Sequence, residues 1–193
     1  DAQSREGRVV KFFSNVDLSK KLLETNNLID LEIGCGHGHW LNSYSDSNQN
    51  ITCIGIDLNT KRIDKSNNKK KLSNRNNLFF LKAEAFEFIT FMPKNIKIRN
   101  IFILFPDPWP KKKHHKRRLI QNSFLDHLKL YSTKNSLLFF RTDFYEYFEW
   151  TKDKINQSRS WNLNNENLPF EHETYFQNLL PNFNTLSAAP ILA

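Results

Sequence analysis

LEIGCGHG, residues 31–38, runs an apolar strand pattern straight into three glycines at alternate positions. Gly34, Gly36 and Gly38 are three of only five glycines in the chain, so their concentration needs a local cause. A side chain at any of them would stand between a ligand and the backbone that opens the next helix. A strand, a glycine loop and a helix in that order therefore read as a nucleotide-type cofactor site in an α/β fold. The plain alternative is a tight structural turn.

Working outward, strand-like apolar runs recur at LIDLEIG (28–34), TCIGID (52–57), LFFLKA (78–83), NIFILFP (100–106) and SLLFFRTD (136–143). Helical patterns separate them: Asp17–Asn26 ahead of the first run, then Trp40–Ser45, Lys61–Leu72, Ala85–Phe91, Leu119–Tyr131 and Phe144–Ile155. This alternation predicts parallel βαβ units, a mostly parallel central sheet with helices on both faces. SRSWNLNNENLPF reads as a long polar connection. The Asn- and Lys-rich segment SNNKKKLSNRNN (66–77) reads as solvated surface. No internal repeat is evident.

A dinucleotide site calls for G-x-G-x-x-G, but position 39 is His and the pattern here is E-x-G-x-G-x-G. The acid ahead of the glycines, Glu32, suits a cofactor that lacks a pyrophosphate and carries an ammonium or sulfonium charge, which points to S-adenosylmethionine. Asp57 ends the second strand, where an adenosine ribose would present two hydroxyls to a carboxylate. Helix capping is the competing role for Asp57, with Asn59 or Thr60 as rival caps. Glu84, after the third strand, would accept from the adenine amino group, or serve as a first-turn acid with no ligand.

The fourth strand ends at the carboxyl edge of the sheet and runs into FPDPWPKKKHHKRR (105–118). Pro106, Pro108 and Pro110 fix their own φ and extend their neighbours, which predicts a stiff loop that holds Asp107 in the cofactor crevice. Trp109 offers a flat face for a splayed base, or else packs on the sheet. Lys111, Lys112, Lys113, Lys116, Arg117 and Arg118 follow at the mouth of the same crevice, where positive charge would collect phosphates.

The bulk numbers agree. At 193 residues, 39% of them hydrophobic, the chain has the size of one domain and buries about 70% of its unfolded surface. The apolar run Ile101–Phe105 is far too short to span a bilayer. The first residue is Asp rather than Met, so a few native residues are expected before it. No leader pattern opens the sequence, and Cys35 and Cys53 form no disulfide framework, so a soluble protein of a reducing compartment is expected. Lys and Arg number 28 against 20 Asp and Glu, a formal +8 that favours a polyanionic partner. The cysteines and six histidines show no metal-ligand spacing; His114 and His115 extend the basic run.

With Glu32-Ile33-Gly34, Asp57, Glu84 and the DPW-x-K-x-x-H-x-K-R-R string at Asp107–Arg118 in place, the chain resembles the bacterial tRNA (guanine-N7)-methyltransferases. The resemblance runs from SREGRVVKF to about Tyr175. It implies a Rossmann-like methyltransferase fold over 1–193, with 1–27 as N-terminal arm and helix and 158–193 as a substrate-side segment. It further implies tRNA methylation at guanosine 46 of the variable loop; a cytoplasmic or organellar setting is expected, and the sequence does not choose between monomer and homodimer. On that similarity Glu32, Asp57, Glu84 and Asp107 contact S-adenosylmethionine, and Asp107 is also the active-site residue. Lys111 and Asp143 contact the substrate. The family's T-x-[FY]-E motif appears here as Thr174, Phe176 and Gln177, and AAPILA stands where a Gly and an I-Y-R segment belong. A shortened closing strand is therefore expected.

Two other readings stay open. An exocyclic-amine nucleic-acid methyltransferase would carry [DNS]-P-P-[YFW] after the same strand, where Trp109 replaces the second Pro. A non-catalytic RNA-binding module with a relic cofactor pocket would account for Gln177 and the altered tail.

Overall fold

A computed structural model describes residues 2–172 and 182–192, with side chains from residue 5 onward. Two helices lead in, α1 (Ala2–Phe13) and α2 (Val16–Glu24), and the Asn15 side chain caps α2 by accepting from the Leu18 N–H at 3.1 Å. Strands and helices then alternate: β1 (Leu28–Ile33), α3 (His39–Ser47), β2 (Thr52–Asp57), α4 (Thr60–Ser73), β3 (Leu78–Lys82), α5 (Ala85–Phe91), β4 (Lys97–Leu104). A 3-10 helical segment, Lys112–Arg117, precedes α6 (Asn122–Leu130), β5 (Ser132–Thr142), α7 (Tyr145–Asn156), β6 (Trp161–Asn164) and β7 (Asn184–Pro190).

Among the described residues the strands form one sheet in the order β3-β2-β1-β4-β5-β7-β6. The first five run parallel, and β7 lies antiparallel between β5 and β6. Strand order reverses between β1 and β4. Their carboxyl ends are thus the place where an open α/β sheet leaves a crevice.

Side-chain alternation divides the core cleanly. Ile29, Leu31 and Ile33 of β1, with Ile54, Ile56, Ile101, Ile103, Leu138 and Phe140, pack under α1, α2 and α5–α7. The opposite face carries Cys53, Phe80, Phe102 and Phe139 under Trp40, Leu41 and Tyr44 of α3 and Ile63 of α4. Strands buried on both faces read as continuous apolar runs, which is why the parallel five were visible in the sequence. Among the described residues no helix is long and apolar enough to cross a membrane.

Two features depart from the sequence reading, and a third bears on the closing strand. The stretch 158–170 is not all connection, since Trp161–Asn164 forms the outer strand; Trp161 is fully buried and its indole N–H donates to the Leu125 carbonyl at 2.8 Å. The closing strand is present over seven residues and pairs with β5 from Asn184 to Ala188. Helix α6 starts three residues later than Leu119. There the Tyr147 hydroxyl accepts from the Ile120 N–H at 3.4 Å, and the Trp150 indole donates to the Ile120 carbonyl at 3.1 Å, holding the segment extended.

Candidate active site

The glycine loop leaves β1 at Ile33, and the Gly34 and Cys35 N–H groups both donate to the Ile56 carbonyl at 2.8 and 3.0 Å. All three glycines have positive φ, 78°, 56° and 66°, which disfavours any other residue. Their surroundings separate them. A Cβ on Gly34 or Gly36 would meet nothing within 4 Å, so the backbone there faces open space. A Cβ on Gly38 would lie 2.6 Å from Phe80 Cζ, which makes Gly38 a packing requirement where α4, β3 and the start of α3 converge.

Asp57 sits at the end of β2 and is buried. Its Oδ2 accepts from the Gly36 N–H at 3.0 Å and its Oδ1 from the Asn59 N–H at 2.8 Å, while Arg62 approaches to 3.6 Å. The rival role resolves locally: Asn59, not Asp57, caps α4 by accepting from the Arg62 N–H. A carboxylate has about four acceptor sites, so Asp57 retains capacity for hydroxyl donors. Glu84 does cap a helix, accepting from the Glu87 N–H at 2.9 Å, and it lines the cleft as well.

Glu32 is 4% exposed, and among the described residues its Oε2 has no hydrogen-bond partner. Burial, with the Asp57 carboxylate adding to it, pushes Glu32 up to about 8. A buried acid without a partner is costly, and a cationic group beside it would relieve that cost.

A cleft of about 530 Å³ brings the pieces together. It is lined by Gly34, Asp57 and Glu84 together with Asp107, Lys116 and Arg117. Asp107 is exposed within it. Phe105 and Trp109, on either side of the proline-rich turn, have positive φ of 53° and 47°. Trp109 is half-buried at the cleft wall rather than packed on the sheet; the Arg117 guanidinium lies over its ring at 4.9 Å and His114 meets it edge-on.

The basic run does not act as one patch. Lys111, Lys112, Lys113, Lys116 and Arg117 are exposed, but Arg118, expected beside them at the phosphate surface, is 1% exposed. Its Nε donates to the Pro108 carbonyl at 2.9 Å and its Nη2 to Glu146 at 3.0 Å, and its guanidinium lies over the rings of Tyr147 and Trp150. Arg118 thus ties the Asp107 loop to α7. Asp143 is exposed beyond β5 and does not line the cleft. Thr174 and Gln177 lie outside the described residues.

Sequence reasoning missed several cleft residues, Phe86 and Arg62 among them. Phe86 follows Glu84 on α5, where Ala85, Phe88 and Ile89 take the buried face and leave Phe86 partly exposed. An aromatic outside the apolar stripe was the available signal. Arg62 sits one turn into α4 against Asp57, indistinguishable in sequence from its solvated neighbours. Cys35 and Cys53 are free, and burial pushes both thiols up. Among the described residues no group of His, Cys, Asp or Glu is placed to hold a metal ion.

Known proteins resemble this chain in sequence and in fold. A family model described as a putative methyltransferase covers residues 26–179. The tRNA (guanine-N(7)-)-methyltransferase of Clostridium botulinum (strain Okra) is 32% identical over 175 residues, 82% of this chain and 80% of that protein. That of Prochlorococcus marinus is 34% identical over 80% of this chain and 73% of its own length. That of Lachnoclostridium phytofermentans is 29% identical over 92% and 77%. In fold, the aminoglycoside resistance methyltransferase NpmB1 superposes with a TM-score of 0.61 at 14% identity, over 90% of this chain and 92% of that one. An antibiotic-related methyltransferase gives 0.61 at 18%, with the same coverage. Sheet order, cleft and relatives converge: the chain belongs to the tRNA (guanine-N7)-methyltransferase family.

Proposed function

We propose that the protein transfers a methyl group from S-adenosylmethionine to N7 of a guanosine in tRNA, position 46 of the variable loop. The observation that carries this is one cleft holding Asp57 and Glu84 on its cofactor side and Asp107, Lys116 and Arg117 on its outer side. The residues fit the cofactor. The partnerless Glu32 oxygen suits its ammonium or sulfonium charge, Asp57 its ribose, Glu84 its adenine amino group, and the open backbone at Gly34 and Gly36 leaves room for its approach.

When bound, S-adenosylmethionine supplies a methyl on a sulfonium sulfur, and transfer to N7 leaves the purine cationic. N7 has an in-plane lone pair and no proton, so the chain need not provide a strong base there. Asp107 accepts from the guanine N1–H and amino group, which aims N7, and its negative charge stabilises the cation as it forms. At about 4 Å that attraction is roughly 1 kcal/mol in water and about 4 at an effective dielectric near 20. Asp107 is exposed in the free protein, so a base seated over it supplies the desolvation. Lys111, Lys112, Lys113, Lys116 and Arg117 hold the RNA backbone, with Asp143, Thr174 and Gln177 as further substrate contacts. The chain works as one domain in the cytoplasm.

The relatives do not favour an exocyclic-amine acceptor or a relic pocket. Asp107→Ala should lower methyl transfer by about 100-fold or more while tRNA affinity changes little. A transcript with its variable-loop guanosine changed to adenosine should take no label. Unchanged turnover in the Asp107 variant, or full labelling of that transcript, would refute the assignment.

A further inference from the structure

Helix α4 carries Lys61, Lys65 and Lys69 at intervals of four, with Arg62 beside them. At about 100° per residue these four cations fall within one 100° sector, and Asp64 lies on the opposite flank. The buried residues Ile63 and Ser66 set the inner face, and Ser66 Oγ donates to the Gly36 carbonyl at 3.2 Å. The cationic sector therefore borders the glycine loop. Lys69 donates to the His37 carbonyl at 3.1 Å and also contacts the His39 ring.

Like charges spaced four apart repel along a helix, and here no acid offsets them: among the described residues Lys61, Lys65 and Lys69 form no ion pair. The field they set up registers on His37, which is held below its usual range by burial and then by Lys65, Lys69 and Arg62. Lys61 and Lys65 are exposed on the helix surface. A helix this basic, whose Arg62 lines the same cleft as Lys116 and Arg117, fits a polyanion that crosses the cleft.

We infer that the Lys61–Lys65–Lys69 ridge is a second RNA-backbone contact, on the opposite rim of the cleft from the DPW loop, so that the tRNA is held from both sides of the reacting guanine. This rests on the tRNA methylation reading above. Lys61→Gln/Lys65→Gln tests it against Lys94→Gln/Lys134→Gln, a matched charge change at exposed sites near the amino ends of β4 and β5. The ridge variant should bind tRNA about five- to tenfold more weakly near 0.1 M salt, and its log–log salt slope should shrink by about 1–2. KM for tRNA should rise with kcat kept and S-adenosylmethionine binding unchanged, and the control should match the unaltered protein. A salt slope and KM equal to the control's would overturn the ridge assignment and leave the methylation reading standing. Absence of 7-methylguanosine with the unaltered protein would instead overturn the reading and the ridge with it.

Discussion

Asp30 and Glu32 stand two residues apart on β1, both on its α3-facing side and both buried, 0% and 4% exposed. Their fates are opposite. Asp30 accepts from Arg99 Nε and Nη2 at 3.0 and 2.6 Å, from the Tyr44 hydroxyl at 2.5 Å and from the Asn100 N–H at 3.1 Å. That network joins β1, α3 and β4. Glu32 keeps an oxygen with no partner and is pushed up to about 8. The fold itself satisfies Asp30 completely, whereas Glu32, two residues further along β1, keeps an acceptor that the described residues do not fill.

The largest effect that would sharpen this contrast is Asp30→Ala. It strands Arg99 and Tyr44 and should cost about 3 kcal/mol, the low end for a broken buried pair because Arg99 is 36% exposed and can turn to water. Chemical denaturation would read it, and a loss under about 1 kcal/mol would erase the distinction. Glu32→Gln comes next. It should leave stability equal or higher, since it removes an unpaired buried acid, while weakening S-adenosylmethionine by about 1.5–3 kcal/mol, roughly ten- to a hundredfold by calorimetry. A stability loss matching that of Asp30→Ala would break the comparison.

A third expected effect is a slope of stability with pH. Glu32 titrates near 8 when folded against 4.5 when unfolded, so between those values the folded state keeps a proton that the unfolded chain has released. Its contribution is fully present below about 4.5 and is lost as pH rises through about 8. Thermal midpoints of the cofactor-free protein should therefore fall from pH 5 to 8, and Glu32→Gln should flatten that part of the curve. Cofactor binding should release a proton below pH 8. Proton uptake would reverse the assignment of charge on Glu32.

The same contrast explains what the sequence could and could not disclose. The five parallel strands were legible because their apolar runs are buried on both faces and bounded by turn residues, and Asp57, Glu84 and Asp107 were legible as cleft-lining positions because each ends or follows such a strand. β6 was not, because WNLNNENLPF buries little beyond Trp161 and is otherwise Asn-rich, and β7 not, because NTLSAAP holds small residues and a proline whose pairing is decided by β5. Nothing in LEIGCGHG separates Gly38 from Gly34; the Phe80 ring does. Asp30 likewise gives no local sign that Arg99, 69 residues on, will meet it.

The turn after Trp109 has a further implication. A 3-10 segment repeats every three residues, so His115 and Arg118 share one side and meet Trp150, while Lys113, Lys116 and Arg117 stay outside. Its pitch works as a sorting device that turns a uniform string of cations into one anchor and several hands. Adding or removing a single residue there would preserve every charge yet rotate the string by about 120°, so the interval from Asp107 to Arg118 is a mechanical dimension of the enzyme as well as a signature of it.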